Sequence, residues 1–184
     1  GYNAYSLLQT GETVKNGPWP LYLDTFGDFR PMGIVYTMLP SVAVFGLTEF
    51  AVRFPMALLG SLSPLVLFFL VRKISKDALV AGLAGVFLTL SPWHINLSRA
   101  TSEAVLAVFF AMLITYLFYV LLEKRKLKWA ILLYLSMALS YISYHPINLF
   151  IILFYPVLIL FSGRELWKNK QLGLIVVTVF AVYL

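Results

Sequence analysis

Residues 50–76, FAVRFPMALLGSLSPLVLFFLVRKISK, decide how this chain is built. From 50 to 71 the segment is apolar for about the 20 residues that a helix needs to cross a hydrocarbon layer, and it stops at Arg72-Lys73-Ile74-Ser75-Lys76. Further apolar runs of roughly spanning length lie at 78–95, 104–122, 129–144 and 146–162, with another at 172–184. The connections after the first, third and fifth runs are Arg72 to Lys76, Lys124-Arg125-Lys126-Leu127-Lys128 and Arg164 to Lys170. They hold ten of the fourteen Lys and Arg residues. Short loops rich in Lys and Arg stay cytoplasmic, so the first 50 residues and the turns at 92–100 and 140–146 are expected on the opposite side of a membrane.

Composition agrees independently. With 61% hydrophobic residues, 12% charged residues and a mean hydropathy of +0.87, the chain does not fit a soluble domain of 184 residues. The net charge of +6 is spread over loops that would border an anionic leaflet, which favours membrane lipid and not nucleic acid as the partner of that charge. The absence of cysteine excludes disulfide frameworks, thiolate metal sites and cysteine nucleophiles. The expected fold is all-α, a polytopic transmembrane helix bundle. Residues 1–49 form an extracytoplasmic first loop with short interfacial helices and 50–184 the transmembrane helices. The start at Gly1 and the end within an apolar run read as a fragment of one larger unit, expected to be inactive alone.

Residues 1–33 are the largest polar stretch. Ala4, Leu7 and Leu8 keep helical spacing up to a stop at Gly11. Asn16-Gly17-Pro18-Trp19-Pro20 reads as a turn, and Tyr2, Tyr5, Trp19, Tyr22, Phe26 and Phe29 suit the headgroup region. Residues 31–47, interrupted by Pro31 and Pro40, read as an interfacial or re-entrant helix. Glu49 and Arg53, four residues apart, read as an ion pair anchoring the first span.

Two polar groups share the predicted side: Asp24, Asp28 and Arg30 in the first segment, and His94, Arg99 and Glu103 near the turn after the second run. A carboxylate at a low-dielectric boundary suits a general base, and an arginine fork suits phosphate oxygens. Simpler roles remain open for each. Arg99 and Glu103 could pair at i and i+4, His94 could be a hydrogen-bonded interfacial side chain, and Asp24 and Asp28 could form turns. His145, before Pro146, carries a weaker signal. Ligand spacing for a metal is lacking, as are a glycine-rich phosphate loop and a nucleophile elbow. Asn96-Leu97-Ser98 matches a glycosylation acceptor but lies too near the membrane to serve as one.

The succession Gly1-Tyr2-Asn3-Ala4-Tyr5 to Thr10-Gly11, Phe26-Gly27-Asp28-Phe29-Arg30-Pro31, Phe45-Gly46-Leu47-Thr48-Glu49-Phe50-Ala51-Val52-Arg53-Phe54-Pro55 and Ser91-Pro92-Trp93-His94-Ile95-Asn96-Leu97-Ser98-Arg99-Ala100 with Glu103 resembles the N-terminal half of GT-C polytopic glycosyltransferases. The resemblance is especially to bacterial relatives of protein O-mannosyltransferases and of the lipid A aminoarabinose transferase. The resemblance implies transfer of a sugar from a polyprenyl-phosphate-linked donor to a protein, lipid or glycan acceptor at the extracytoplasmic face, in the bacterial inner membrane. It implies Asp28 and Glu103 as catalytic carboxylates, with Arg30, Arg99, His94 and Tyr5 on the substrate and phosphate side. It also implies a further acidic residue just before Gly1. Relatives commonly carry Lys-Pro-Pro where this chain has Arg30-Pro31-Met32. The cofactor stays undetermined, with a divalent metal open. A transporter or flippase of lipid-linked glycans, or a non-catalytic membrane subunit, would share the spans. Transporters, however, keep binding residues near the midplane, whereas these gather at one interface.

Overall fold

The computed structural model describes residues 1–14, 17–25, 28–163, 166 and 169–183, for Thr25, Asp28 and Val182 the backbone alone. In chain order the elements are α1 (Tyr2–Thr10), β1 (Glu12–Thr13), β2 (Gly17–Pro18), β3 (Tyr22–Thr25), β4 (Asp28–Pro31), α2 (Gly33–Phe45), α3 (Glu49–Ser75), α4 (Ala78–Leu90), α5 (Pro92–Arg99), α6 (Glu103–Lys124), α7 (Leu127–Tyr141), α8 (His145–Phe161) and α9 (Lys170–Tyr183). It is an all-α polytopic bundle carrying two small hairpins near its start.

Local chemistry sets the helix ends. The Thr48 hydroxyl accepts the Ala51 N–H at 3.1 Å to open α3, and Asp77 Oδ1 accepts the Leu79 N–H at 2.7 Å to open α4. These side chains satisfy donors that a helix leaves orphaned at its start. Helix α3 closes with Arg72 and Lys73 in its last turn and left-handed Lys76, and α6 with Lys124 and left-handed Arg125. Cations at a helix C-terminus offset its partial negative charge by about 0.3–1 kcal/mol each. The basic clusters therefore terminate helices as well as marking one side of the bundle. At that end Lys73 of α3 pairs with Glu123 of α6.

The expected run 78–95 is not one helix. Ser91 is extended (φ −66°, ψ 116°) and Pro92 starts α5, with a bend of 55° between α4 and α5. Proline lacks the N–H that α4 would need to continue, and it restricts the residue before it. Among the described residues α3 and α6 are each long and apolar enough to cross a membrane, and the bent α4–α5 pair adds a third if it is one span. Helices α7, α8 and α9 are shorter apolar helices.

Helix α6 runs through the middle. Phe110, Ile114, Leu117, Phe118 and Leu121 pack with Met56 of α3, Leu133 and Met137 of α7, and Ile151 and Tyr155 of α8. The outer faces are apolar too: Leu79 is 72% exposed, Phe87 71%, Leu160 78% and Phe161 87%. So much exposed hydrocarbon would be an aggregation liability in water and is the ordinary surface of a helix bundle in lipid. This is an integral membrane protein.

The first segment is seated by a second, smaller core of Ala4, Leu7, Met32, Val35, Met38, Val42 and Ala51. Gly11 ends α1 in the left-handed conformation (φ 73°), its N–H bonded to the Leu7 carbonyl. Residues 12–31, read from sequence as loop and turns, contain two antiparallel hairpins. Strand β3 pairs with β4 in the register Tyr22 to Pro31, Leu23 to Arg30, Asp24 to Phe29 and Thr25 to Asp28. Aromatic and β-branched residues fit such pairing, and Pro31 is tolerated at the end of an edge strand.

Gly33 ties this segment to the bundle. Its N–H donates to the Ile142 carbonyl at 2.7 Å, and a Cβ added there would lie 2.7 Å from Ser143 Cα. Backbone cannot yield as a side-chain tip can. Gly33→Ala is therefore expected to destabilise the protein by about 1–3 kcal/mol, the usual cost of overpacking, read as a lowered Tm in detergent. An unchanged Tm would show that the approach is looser than described.

Candidate functional site

Three chain segments distant in sequence enclose a cleft of about 490 Å³ at the end of the bundle opposite the basic connections. Strand β4 and the start of α2 give Phe29, Arg30, Pro31 and Ile34. The turn into α6 gives Thr101, Ser102, Glu103 and Ala104, and the turn into α8 gives Tyr144, His145 and Pro146. Clefts elsewhere differ in kind, as between α7 and α9, where Leu127, Ala130, Ile131, Leu174 and Val179 line the walls. Only chemistry-bearing side chains distinguish a binding site from a lipid-filled groove, and this cleft carries a guanidinium, a carboxylate, an imidazole and hydroxyls.

Each wall is held by identifiable contacts. Arg30 stands on β4 opposite Leu23, and the Met32 N–H closes the hairpin onto the Leu21 carbonyl at 3.0 Å. Glu103 is half-buried in the first turn of α6, behind the N-cap Ser102, whose hydroxyl accepts the Ala104 N–H at 3.3 Å. Thr101 just before it takes φ 57°. A β-branched residue in that region is strained, and such strain recurs where a site needs an unusual turn. The turn carries the chain from the end of α5 to the start of α6, so Arg99 and Glu103 lie on different helices and not one turn apart on the same one. Both α6 and α8 present their N-termini to the cleft, which adds partial positive charge to that of Arg30.

His145 opens α8, and its Nε2 lies 3.0 Å from the Phe29 carbonyl. Its ring stacks on Tyr22 with centroids 5.6 Å apart and planes within 7°. Burial, and next a hydrogen bond to Tyr141, push the Tyr22 hydroxyl above its ordinary range. Sequence reasoning set His145 aside. The signal that could have found it was the phase of the basic loops, which puts the turn at 140–146 on the same face as the first segment.

The other expected residues are placed elsewhere. Arg99 is exposed at the last position of α5, and Tyr5 is exposed on α1; neither lines the cleft. Asp28 opens β4, but its side chain lies outside the described residues. His94 is buried and braces α5 against α3: its Nε2–H donates to the Gly60 carbonyl at 2.9 Å. Ser98 Oγ donates to the His94 carbonyl at 2.7 Å. A Cβ on Gly60 would meet the Ser98 Cβ at 2.6 Å. Gly60→Ala should cost about 1–3 kcal/mol of stability, and the same change should cost distinctly less in a Ser98→Gly background. Equal Tm losses in both backgrounds would contradict this contact. Glu49 and Arg53 form the expected i, i+4 pair at 2.8 Å, both largely exposed. Among the described residues no group of three or more His, Cys, Asp or Glu could hold a metal ion.

No curated protein and no solved structure matches this chain. A family model does: that of dolichyl-phosphate-mannose-protein mannosyltransferase, over residues 30–184. The match begins at Arg30 and takes in every described residue of the cleft wall except Phe29. With most of its length covered, from the cleft arginine through the bundle, the chain belongs to this family of membrane glycosyltransferases of mannosyltransferase type.

Proposed function

We propose that the cleft between β4, the N-terminus of α6 and the α7–α8 turn receives the phosphate-linked end of a polyprenyl-phosphate sugar, and that the sugar passes there to a protein, lipid or glycan acceptor. The observation that carries this reading is the meeting of Arg30 and Glu103 in one cleft, although 73 positions of sequence separate them. Positive charge for a departing phosphate and a carboxylate for an incoming hydroxyl are what such a transfer needs.

In this mechanism the acceptor oxygen forms a bond to the anomeric carbon as the bond from that carbon to the phosphate oxygen breaks. The acceptor proton goes to a carboxylate, Glu103 or Asp28, and the bonding electrons leave with the polyprenyl phosphate. Arg30 neutralises the charge that grows on the phosphate, helped by the two helix N-termini. Arg99 and Tyr5 are exposed outside the cleft walls and fit contacts to headgroup or acceptor. His94 fits a role in holding α5 against α3. With the basic connections on the cytoplasmic side, the cleft opens at the extracytoplasmic surface, in a bacterium that of the inner membrane.

The test is transfer by the whole protein, and not by this segment alone, in liposomes supplied either with a polyprenyl-phosphate sugar or with the corresponding nucleotide sugar. Transfer from the lipid-linked donor alone is expected. Use of the nucleotide sugar without a lipid carrier, or no transfer from either, would overturn the reading.

A further inference from the structure

The hairpin that carries Arg30 is held against the rest of the molecule on two sides, by the smaller core and by the bundle. Phe29 is 62% exposed and Leu21 57%, while Leu23 packs on the smaller core under α1 and α2 and the Pro20 carbonyl just before β3 accepts from the Tyr36 hydroxyl. What meets the hairpin from the bundle is the α7–α8 turn, through His145 to the Phe29 carbonyl at 3.0 Å, the His145 ring on Tyr22 at 5.6 Å and Tyr141 to the Tyr22 hydroxyl. One residue further along, Gly33 bonds to Ile142 at 2.7 Å. The contacts bracket Arg30: Phe29 precedes it in β4, and Leu23, its partner in register, follows Tyr22.

From this juxtaposition we infer that His145 is a positioning residue, a latch that fixes the β3–β4 hairpin on the α7–α8 turn and so aims Arg30 into the cleft. The inference rests on the proposed phosphate site for its functional consequence, but the latch itself is a mechanical claim that stands apart from it. Nε2–H donates to a backbone carbonyl, a contact that does not depend on which side chain occupies 29. A donor at the same reach, such as a glutamine amide, should replace it. A phenylalanine would keep the ring on Tyr22 and lose the donor.

Two readouts on the whole protein separate the latch from the site. In the first, spin labels on Leu21→Cys and Leu149→Cys, both at exposed positions, report the spread of distances between hairpin and α8. The spread should be narrow with His145 and with His145→Gln, and broad with His145→Phe. In the second, binding of polyprenyl phosphate presented in nanodiscs should weaken roughly 3- to 10-fold in His145→Phe, as expected for loss of one modest hydrogen bond, and stay within about twofold in His145→Gln.

An unchanged distance spread in His145→Phe, or one as broad in His145→Gln, would overturn the latch. A broadened spread with unchanged phosphate binding would refute its role in aiming Arg30. If the unsubstituted protein binds no polyprenyl phosphate while the spread responds as expected, the latch stands and the phosphate reading of the cleft falls.

Discussion

Replacing Arg30 with methionine is expected to lower sugar transfer by about 10²–10³-fold, the usual loss when one preorganised group facing developing charge is removed. The loss should fall on the chemical step as well as on donor binding, because the leaving phosphate gains charge as the bond to the sugar breaks. Arg30 is exposed on an edge strand, and surface substitutions away from the core usually change stability by less than about 0.5 kcal/mol. A variant that is inactive yet melts with the parent is therefore the expected outcome. Arg30→Lys should keep an intermediate activity, since an ammonium supplies the charge without the two-pronged geometry. Full activity in Arg30→Met, measured as labelled sugar transferred per minute, would remove Arg30 from the site.

Replacing Glu103 with glutamine is expected to cost about 10²–10⁴-fold, the range for loss of a general base. Glutamine keeps the shape and the position in the first turn of α6, behind Ser102. It forfeits the favourable meeting of a carboxylate with a helix N-terminus, worth about 0.3–1 kcal/mol. The pH profile separates the two effects. A carboxylate base works when ionised, so parental transfer should fall as acid protonates it, and residual transfer by the glutamine variant should lack that acidic limb. A small, pH-independent loss would assign Glu103 to bracing the turn at Thr101. The base would then be Asp28 or another carboxylate.

How much of this was legible without coordinates follows from the range over which each signal acts. Hydropathy and the phase of the basic loops are sums over a dozen or more residues. They located the helices and put 92–100, 140–146 and the first segment at one end. Gly11 acts within a turn of chain, and its role as a stop is written locally. Pro92 was visible too, but whether a proline kinks a span or breaks it depends on what packs against the next helix. Here Ser98 and His94 seat α5 on Gly60. The pairing of β3 with β4 was hidden because short strands owe their stability to cross-strand neighbours more than to their own propensity.

The cleft was half legible. Arg30 and Glu103 could be named from residue type and side, whereas Tyr144 and His145 enter through the contact of Gly33 with Ile142, which no periodicity encodes. Arg99 and His94 show the converse limit. Proximity in sequence to Glu103 suggested a shared site, and the left-handed turn at Thr101 and the burial of His94 separate them from the cleft.

The most direct measurement compares two arginines on the same side of the bundle. Transfer from a polyprenyl-phosphate-linked sugar should be followed for the whole protein in liposomes with Arg30→Met or with Arg53→Met, whose guanidinium pairs with the exposed Glu49 and does not line the cleft. A loss of about 10²–10³-fold in the first and near-parental transfer in the second is the predicted result. Equal losses in both, or undiminished transfer by Arg30→Met, would contradict the placement of the donor phosphate in this cleft.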